Sequence, residues 1–258
     1  MTQKLPNFED IPVIALGRTD STNAEGHRRA EAGAAHGTLL WATEQTAGRG
    51  RRGREWISKP GNLYASLVLR PDCEAKRATQ IAFVAALAVS GFLGDYFSEA
   101  KRLQHKWPND VLVDGRKLAG ILAESRMGKG AALEWLVLGV GVNVDSYPED
   151  VEWPAISLRE IGGKPAEIAE LVEAFGRAFT FWYNTWQKNG FESIREAWLD
   201  RAVGLGEPIR VRLQQETIEG LFTGLDEDGT LLVLKAGETV PFRVTAGDVF
   251  PTAVLRNH

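Results

Sequence analysis

The sequence predicts an α/β chain of the α+β kind, with a mixed-sheet domain first and a small all-β domain after it. Strand-like runs alternate with helical stretches over residues 13–199, which is the pattern of a sheet covered by helices. The pattern changes near Gly204. From residue 207 to 250 polar and apolar residues alternate, punctuated by Gly220, Gly224, Gly229, Gly237 and Gly247, as in four or five short strands of a small barrel. A length of 258 residues accommodates a large and a small domain. The expected division is 1–203 and 204–258, with few contacts crossing the linker.

Each element has a local reason. Residues 13–16 read as a short strand. Thr19, Asp20, Ser21, Thr22 and Asn23 offer N-cap side chains to a polar helix that runs to about Gly33. Residues 38–44 and 63–69 read as strands. Residues 76–97 form a long, Ala-rich apolar helix, placed centrally in the core. Residues 103–107, 111–113, 117–125 and 133–140 read as further strands, with turns at Asp114-Gly115 and Gly128-Lys129-Gly130. A helix over 166–188 repeats Ile168, Leu171, Phe175, Phe179, Trp182 and Trp186 at helical spacing, a stripe that faces the core. A short helix covers 191–199. Asp226-Glu227-Asp228-Gly229 marks a tight turn in the small domain.

Composition excludes several function classes. The formal net charge is -4, whereas a dedicated nucleic-acid binder carries a basic face. The apolar run over 81–93 is too short to span a bilayer, and MTQKLPNFED lacks the basic and apolar regions of a signal peptide. The single cysteine, Cys73, excludes an internal disulfide framework. His27, His36, His105 and His258 lack metal-ligand spacing. A cytoplasmic protein with no membrane partner is expected.

The most informative segment is Gly48-Arg49-Gly50-Arg51-Arg52-Gly53-Arg54. Its glycines let the backbone approach a ligand and leave the loop mobile until one binds. Its arginines supply permanent charge and forked donors for phosphate and carboxylate. The glycine spacing matches the dinucleotide fingerprint, but that fingerprint needs a helix directly afterwards. Trp56, Pro60, Gly61 and then a strand follow instead. In an acidic chain the loop reads as a site for a small anion. A solvated basic loop, or an Arg/Gly loop that binds RNA, is the alternative.

Three more segments join it. Asp20-Ser21-Thr22-Asn23 caps a helix or binds a small polar ligand. Lys106-Trp107-Pro108-Asn109-Asp110 precedes Arg116-Lys117-Leu118-Ala119-Gly120-Ile121-Leu122. Gly139-Val140-Gly141-Val142-Asn143 alternates glycine with valine at a strand end, which marks close approach of something to the backbone.

Together these segments resemble the biotin protein ligases. The resemblance rests on STN at residues 21–23, EQTAGRGRRGREW at 44–56, KWPND at 106–110, GRKLAGIL at 115–122 and GVGVN at 139–143, in order across residues 10–200. It implies a catalytic domain of the biotin/lipoyl ligase type and an SH3-like β-barrel at the C-terminus. The regulatory members of this family carry an N-terminal helix-turn-helix domain. The first motif here begins near residue 20, so a monofunctional ligase without a DNA partner is expected, as a monomer or weak homodimer.

The resemblance also implies the chemistry. Biotin attacks the α-phosphate of ATP, brought with Mg2+, to give biotinyl-5′-AMP. A lysine of a biotin carboxyl carrier domain of a biotin-dependent carboxylase then takes the biotinyl group. Ser21, Thr22, Asn23, Gln45 and Gly48 are implied around biotin, Arg49 and Arg51 at its carboxylate and the phosphate, and Arg52 beside them. Lys117 bridges the two anions and, with Arg51, is the implied catalytic group. Trp56 and Asn143 stand by the adenine, Asn109 on the phosphate side. Asp110 is the one candidate metal contact, through Mg-ATP, with no dedicated metal site. A lipoate or octanoate ligase or transferase of related fold is the neighbouring alternative. It would want an acyl-accepting cysteine or lysine and an apolar slot.

Overall fold

The computed structural model of the protein describes residues 4–128 and 132–251. The first part of the chain runs β1 (Val13–Ala15), β2 (Arg18–Thr19), α1 (Thr22–Glu31), β3 (Leu39–Ala42), β4 (Glu44–Gln45), β5 (Leu63–Leu69), α2 (Ala75–Ala78) and α3 (Ile81–Tyr96). It continues with β6 (Leu103–Lys106), β7 (Asp110–Val113), β8 (Arg116–Met127), β9 (Leu133–Val142), α4 (Ile168–Asn189) and α5 (Phe191–Leu199). Among the described residues seven of these strands form one sheet in the order β1-β3-β5-β9-β8-β7-β6. Only β1 and β3 pair in parallel; the other neighbours are antiparallel, so the sheet is mixed.

Why these residues form these elements is clearest at the centre. All seven residues of β5 are buried, so both faces of this mostly apolar strand are covered. On one side α3 lies across the sheet and is itself covered by α4 and α5. The stretch Ala75–Tyr96 is long and apolar enough to cross a bilayer by composition, yet most of it is buried inside the protein. On the other side α1 presses onto β9. A Cβ at Gly26 would lie 2.6 Å from Val137 Cγ1, so only glycine allows this approach. The turn between β7 and β8 is the predicted Asp114-Gly115 pair, with φ of 49° and 75°, the geometry of a tight hairpin turn. Lys129 and Gly130 of the other predicted turn lie outside the described residues.

The second sheet comprises β10 (Pro208–Arg212), β11 (Thr217–Leu225), β12 (Leu231–Leu234), β13 (Phe242–Val244) and β14 (Asp248–Pro251). Its order is β13-β12-β11-β10-β14, antiparallel throughout. Specific contacts do cross to this domain. Its buried residues Ile209, Val211, Phe222 and Val233 belong to the same continuous core as α3 and β5. Trp107 Nε1 donates to Gly229 O at 3.1 Å, and a Cβ at Gly229 would meet the Phe83 ring at 2.6 Å. Phe83 of α3 and Phe191 of α5 both reach the Gly229 turn between β11 and β12, and α5 also packs on β11.

Candidate functional site

The sequence motifs converge on one cavity of about 440 Å³ over strands β8 and β9 of the large sheet. Of the predicted residues, Ser21, Thr22, Asn23, Gln45, Arg49, Arg51, Trp56, Asn109, Asp110, Lys117 and Asn143 line it; Gly48 and Arg52 do not.

One end of the cavity is neutral and polar. Ser21 is the N-cap of α1 and accepts from Ala24 N at 3.4 Å, so capping and pocket-lining coexist in one residue. Gln45 Oε1 accepts from the Thr22 backbone at 2.8 Å and from its hydroxyl at 3.1 Å, while Gln45 Nε2 donates to Ser58 Oγ at 2.8 Å. Ser58 donates in turn to Trp56 O at 2.7 Å. Gly48 sits against this junction: a Cβ there would lie 2.3 Å from Trp56 O. Its part is to let the loop close on itself.

The Arg/Gly segment is a short hairpin. Trp56 N donates to Gly48 O at 2.9 Å and Gly50 N to Arg54 O at 2.7 Å. A 3-10 turn over Arg51–Gly53 forms the tip, where Arg52 stands at φ 56°. No helix follows before β5, which removes the dinucleotide-fingerprint reading. Three of the four arginines are paired with carboxylates. Arg49 meets Glu124 at 3.0 Å, and Arg52 and Arg54 meet Asp248 of β14 at 3.1 and 3.0 Å. Arg51 differs. Its guanidinium donates to Asn109 Oδ1 at 3.2 Å and, among the described residues, has no carboxylate within ion-pair distance. Burial pulls its pKa down, with Asp110 and Asp248 opposing. Arg51 is thus the loop arginine whose charge is left for a ligand.

Cationic groups gather at the middle of the cavity. Lys117 Nζ stands 2.6 Å from Asp110 Oδ1, and Lys106 Nζ stands 3.3 Å from Asp110 Oδ2. Burial alone would raise the Asp110 pKa; the two ammonium groups outweigh it and hold the carboxyl down to about 2. Burial lowers the Lys106 pKa, with Asp110 opposing and Lys117 adding to the fall. Lys106 also lies over the Trp153 ring at 4.4 Å, where the π face helps to hold a cation. Two ammoniums around one carboxylate leave an excess positive charge, and Arg51 adds a second. This is a place where two anions can be brought together.

The glycines of GVGVN and GRKLAGIL make room for protein side chains. A Cβ at Gly141 would lie 2.5 Å from the Trp56 indole, and one at Gly120 2.9 Å from it. Trp56 therefore lies flat on a glycine floor, with Lys117 Nζ 5.2 Å from its ring centroid. Its Nε1 is buried and, among the described residues, has no hydrogen-bond partner. A Cβ at Gly139 would lie 2.2 Å from Asn23 Oδ1. Asn143 is buried and donates to the carbonyls of Lys117 and Ile156 at 3.2 and 3.1 Å, which ties the end of β9 to the start of β8.

Sequence reasoning passed over several residues of the site. Lys106 stood inside a recognised motif but received no role. Trp153, Arg212, Asp248 and Phe250 also line the cavity. The last three come from the second sheet, far along the chain, and no local pattern announces such a contact. Asp248 receives Arg52, Arg54 and Arg212 together.

Comparison with known proteins agrees with this geometry. The Biotin/lipoate A/B protein ligase family matches residues 16–143, and the Biotin protein ligase C terminal domain matches 204–250. A biotin--[acetyl-CoA-carboxylase] ligase of Paracoccus denitrificans is 42% identical over 91% of this chain and 98% of its own length. A bifunctional ligase/repressor of Bacillus spizizenii is 34% identical over 83% of this chain and 66% of its own. The structure of an Aquifex aeolicus biotin protein ligase in complex with biotin and ATP superposes with a TM-score of 0.78 at 31% identity, covering 93% of this chain and 97% of that one. With its motifs assembled in one cavity and the Paracoccus and Aquifex proteins matched over nearly their full length, the chain belongs to the biotin protein ligase family.

Proposed function

We propose that this chain is an ATP-dependent ligase that activates biotin as biotinyl-5′-AMP and transfers it to a lysine of a biotin carboxyl carrier domain. The observation that carries the reading is the excess of cationic groups, Lys117, Lys106 and Arg51 around the one carboxylate of Asp110, beside the neutral Thr22–Gln45 end of the same cavity. Biotin has those two parts: a ureido ring with donors and an acceptor, and a carboxylate on a chain. Its carboxylate must approach the α-phosphate of ATP, and like charges repel unless fixed cations lie between them.

In this assignment Thr22 and Gln45 address the ureido ring, with Ser21 beside them. Lys117 lies where carboxylate and phosphate meet and shares the developing charge with Arg51. Its ammonium leaves Asp110 part of the way as the anions arrive. Trp56 covers the glycine floor and excludes water from the mixed anhydride, which would otherwise hydrolyse. No enzyme nucleophile is needed. The half-buried Cys73 lies outside the cavity, and burial pushes its thiol pKa up, against an acyl-transferase reading.

Asp110 does not fit as a dedicated metal ligand, because both of its oxygens face ammonium groups. Among the described residues no cluster of His, Cys, Asp or Glu could hold a metal. We assign Mg2+ to the phosphates of ATP and their waters. Cytoplasm is the compartment that supplies ATP and carboxylase together. The test is incubation with biotin, Mg-ATP and a carrier domain, read by mass spectrometry. One biotinyl group per carrier is expected, dependent on ATP; an unmodified carrier overturns the reading.

A further inference from the structure

We propose that Glu124 is a positioning residue that holds the Arg/Gly hairpin closed through Arg49, and so sets how long the acyl-adenylate stays bound; the last clause rests on the ligase reading above. Glu124 stands on β8 just past the cavity wall and does not line the cavity. Its Oε2 accepts from Arg49 Nη2 at 3.0 Å and from Asn23 Nδ2 at 2.8 Å. Asn23 is 4% exposed and itself fixed: its Oδ1 accepts from Ser66 Oγ at 2.6 Å, and its Nδ2 also reaches Leu122 O at 3.3 Å. Ser66 is fully buried on β5. A chain of three side chains therefore runs from the central strand to the first arginine of the loop.

An ordinary exposed ion pair holds little, because ordering two long side chains offsets the attraction. Here the carboxylate is ordered beforehand. Asn23 fixes its direction, and the strand fixes its height above the sheet. Arg49 alone has to be immobilised, which makes the charge-assisted bond more effective. The rest of the hairpin is tied elsewhere: Trp56 O to Ser58, Arg52 and Arg54 to Asp248. Glu124 is the tie at its start. Gly139 belongs to the same device, since any side chain there would displace Asn23.

The test uses the full-length chain with Glu124→Ala, Glu124→Gln and Ser66→Ala. Glutamine keeps an acceptor for Asn23 but has no charge for Arg49. Serine-to-alanine removes the far end of the chain without touching the loop; because it also removes the Ser66 hydrogen bond to Thr22 Oγ1 at 2.8 Å, this variant is read by trypsin cleavage alone. Two readouts are taken. Trypsin cleavage after Arg49, Arg51 or Arg52, with no ligand present, should accelerate about threefold to tenfold in both Glu124 variants, the size expected for one lost charge-assisted bond, and by less in Ser66→Ala. Release of biotinyl-AMP into solution, measured by rapid gel filtration after incubation with biotin and Mg-ATP and no carrier, should accelerate by the same factor. The first turnover of pyrophosphate should stay within about twofold, since no group at the reacting atoms is altered. Wild-type rates of cleavage and release in both Glu124 variants would overturn the proposal. So would loss of cooperative thermal unfolding in both, which would make Glu124 a structural residue only. If the wild-type protein forms no adenylate, the ligase reading fails while the trypsin result still decides the role of Glu124.

Discussion

Lys117 stands at the middle of the cavity, between a carboxylate and an aromatic ring. It faces Asp110 at 2.6 Å and the Trp56 ring at 5.2 Å, so it is exposed to anions on one side and held on the other. Lys117→Ala is expected to lower adenylate formation about a hundredfold, the usual loss for a charge-stabilising donor, with thermal unfolding kept cooperative. Pyrophosphate release within a few-fold of wild type would remove it from the chemistry. Gly141→Ala tests the floor. Its methyl would stand 2.5 Å from the indole, so Trp56 must move, and biotin affinity by calorimetry is expected to fall about tenfold, or 1.4 kcal/mol; unchanged affinity would show that Trp56 does not shape the pocket. These positions show what was legible. The motifs singled out the residue types, because alternating glycine and clustered arginine are visible in a string. What the glycines admit was not legible, since Asn23 and Trp56 lie far away in sequence. Nor was the inequality among the arginines, which depends on the carboxylates Glu124 and Asp248.

Elements behaved as periodicity suggests where one face alone decides. The strand over Leu63–Leu69 and the helix over Phe191–Leu199 have the bounds their patterns predict. The single helix expected over residues 76–97 is present as α2 and α3, which run on from one another through a turn at Thr79–Gln80 whose backbone stays right-handed helical. Gln80 is engaged on both sides there: its Oε1 accepts from Trp186 Nε1 at 2.8 Å and its Nε2 donates to Glu227 O at 3.2 Å. A second buried bridge joins α3, β6 and α5. The ring of His105 lies between Ser90 Oγ at 3.0 Å and the Trp198 carbonyl at 3.2 Å. The carbonyl can only accept, so Nδ1 carries a hydrogen. Burial lowers the His105 pKa to about 4 from an ordinary 6.5. The folded state thus prefers the neutral ring. Its contribution is complete above pH 6.5 and is lost as pH falls from there toward 4, by about 3 kcal/mol in all. Urea unfolding at pH 7.5 and pH 5 should show a smaller loss of stability in His105→Gln than in wild type. Equal losses would place the acid sensitivity elsewhere.

At the scale of the molecule, the second sheet completes the first domain. Two consequences follow from one network. Arg52, Arg54 and Arg212 converge on Asp248, and Arg212 also pairs with Glu152 across the cavity mouth. Loop arginines engaged in this way are poor phosphate contacts, and the chain is acidic, so a 20-base-pair duplex at about 0.15 M salt should show no sequence-selective mobility shift with or without biotin and ATP; a shift that appears only with both would overturn this. The network also bears on cutting the chain after Val203. A linker with few crossing contacts would leave a folded core that still binds biotin. Removal of the sheet instead uncovers Phe83 and Trp107, now 4% and 3% exposed, and strips Gln80 and Trp107 of the carbonyls of Glu227 and Gly229. Each uncovered aromatic costs about 2 kcal/mol, against a total stability on the order of 10 kcal/mol. The fragment 1–203 should therefore melt at a markedly lower temperature, or without cooperativity, and bind a hydrophobic dye. Asp248→Asn, which removes the ties to the loop and leaves the apolar interface whole, should keep the wild-type melt and lose adenylate faster. Calorimetry and dye binding on the two proteins separate the roles: a fragment as stable as the intact chain would mean that the second sheet serves the loop alone.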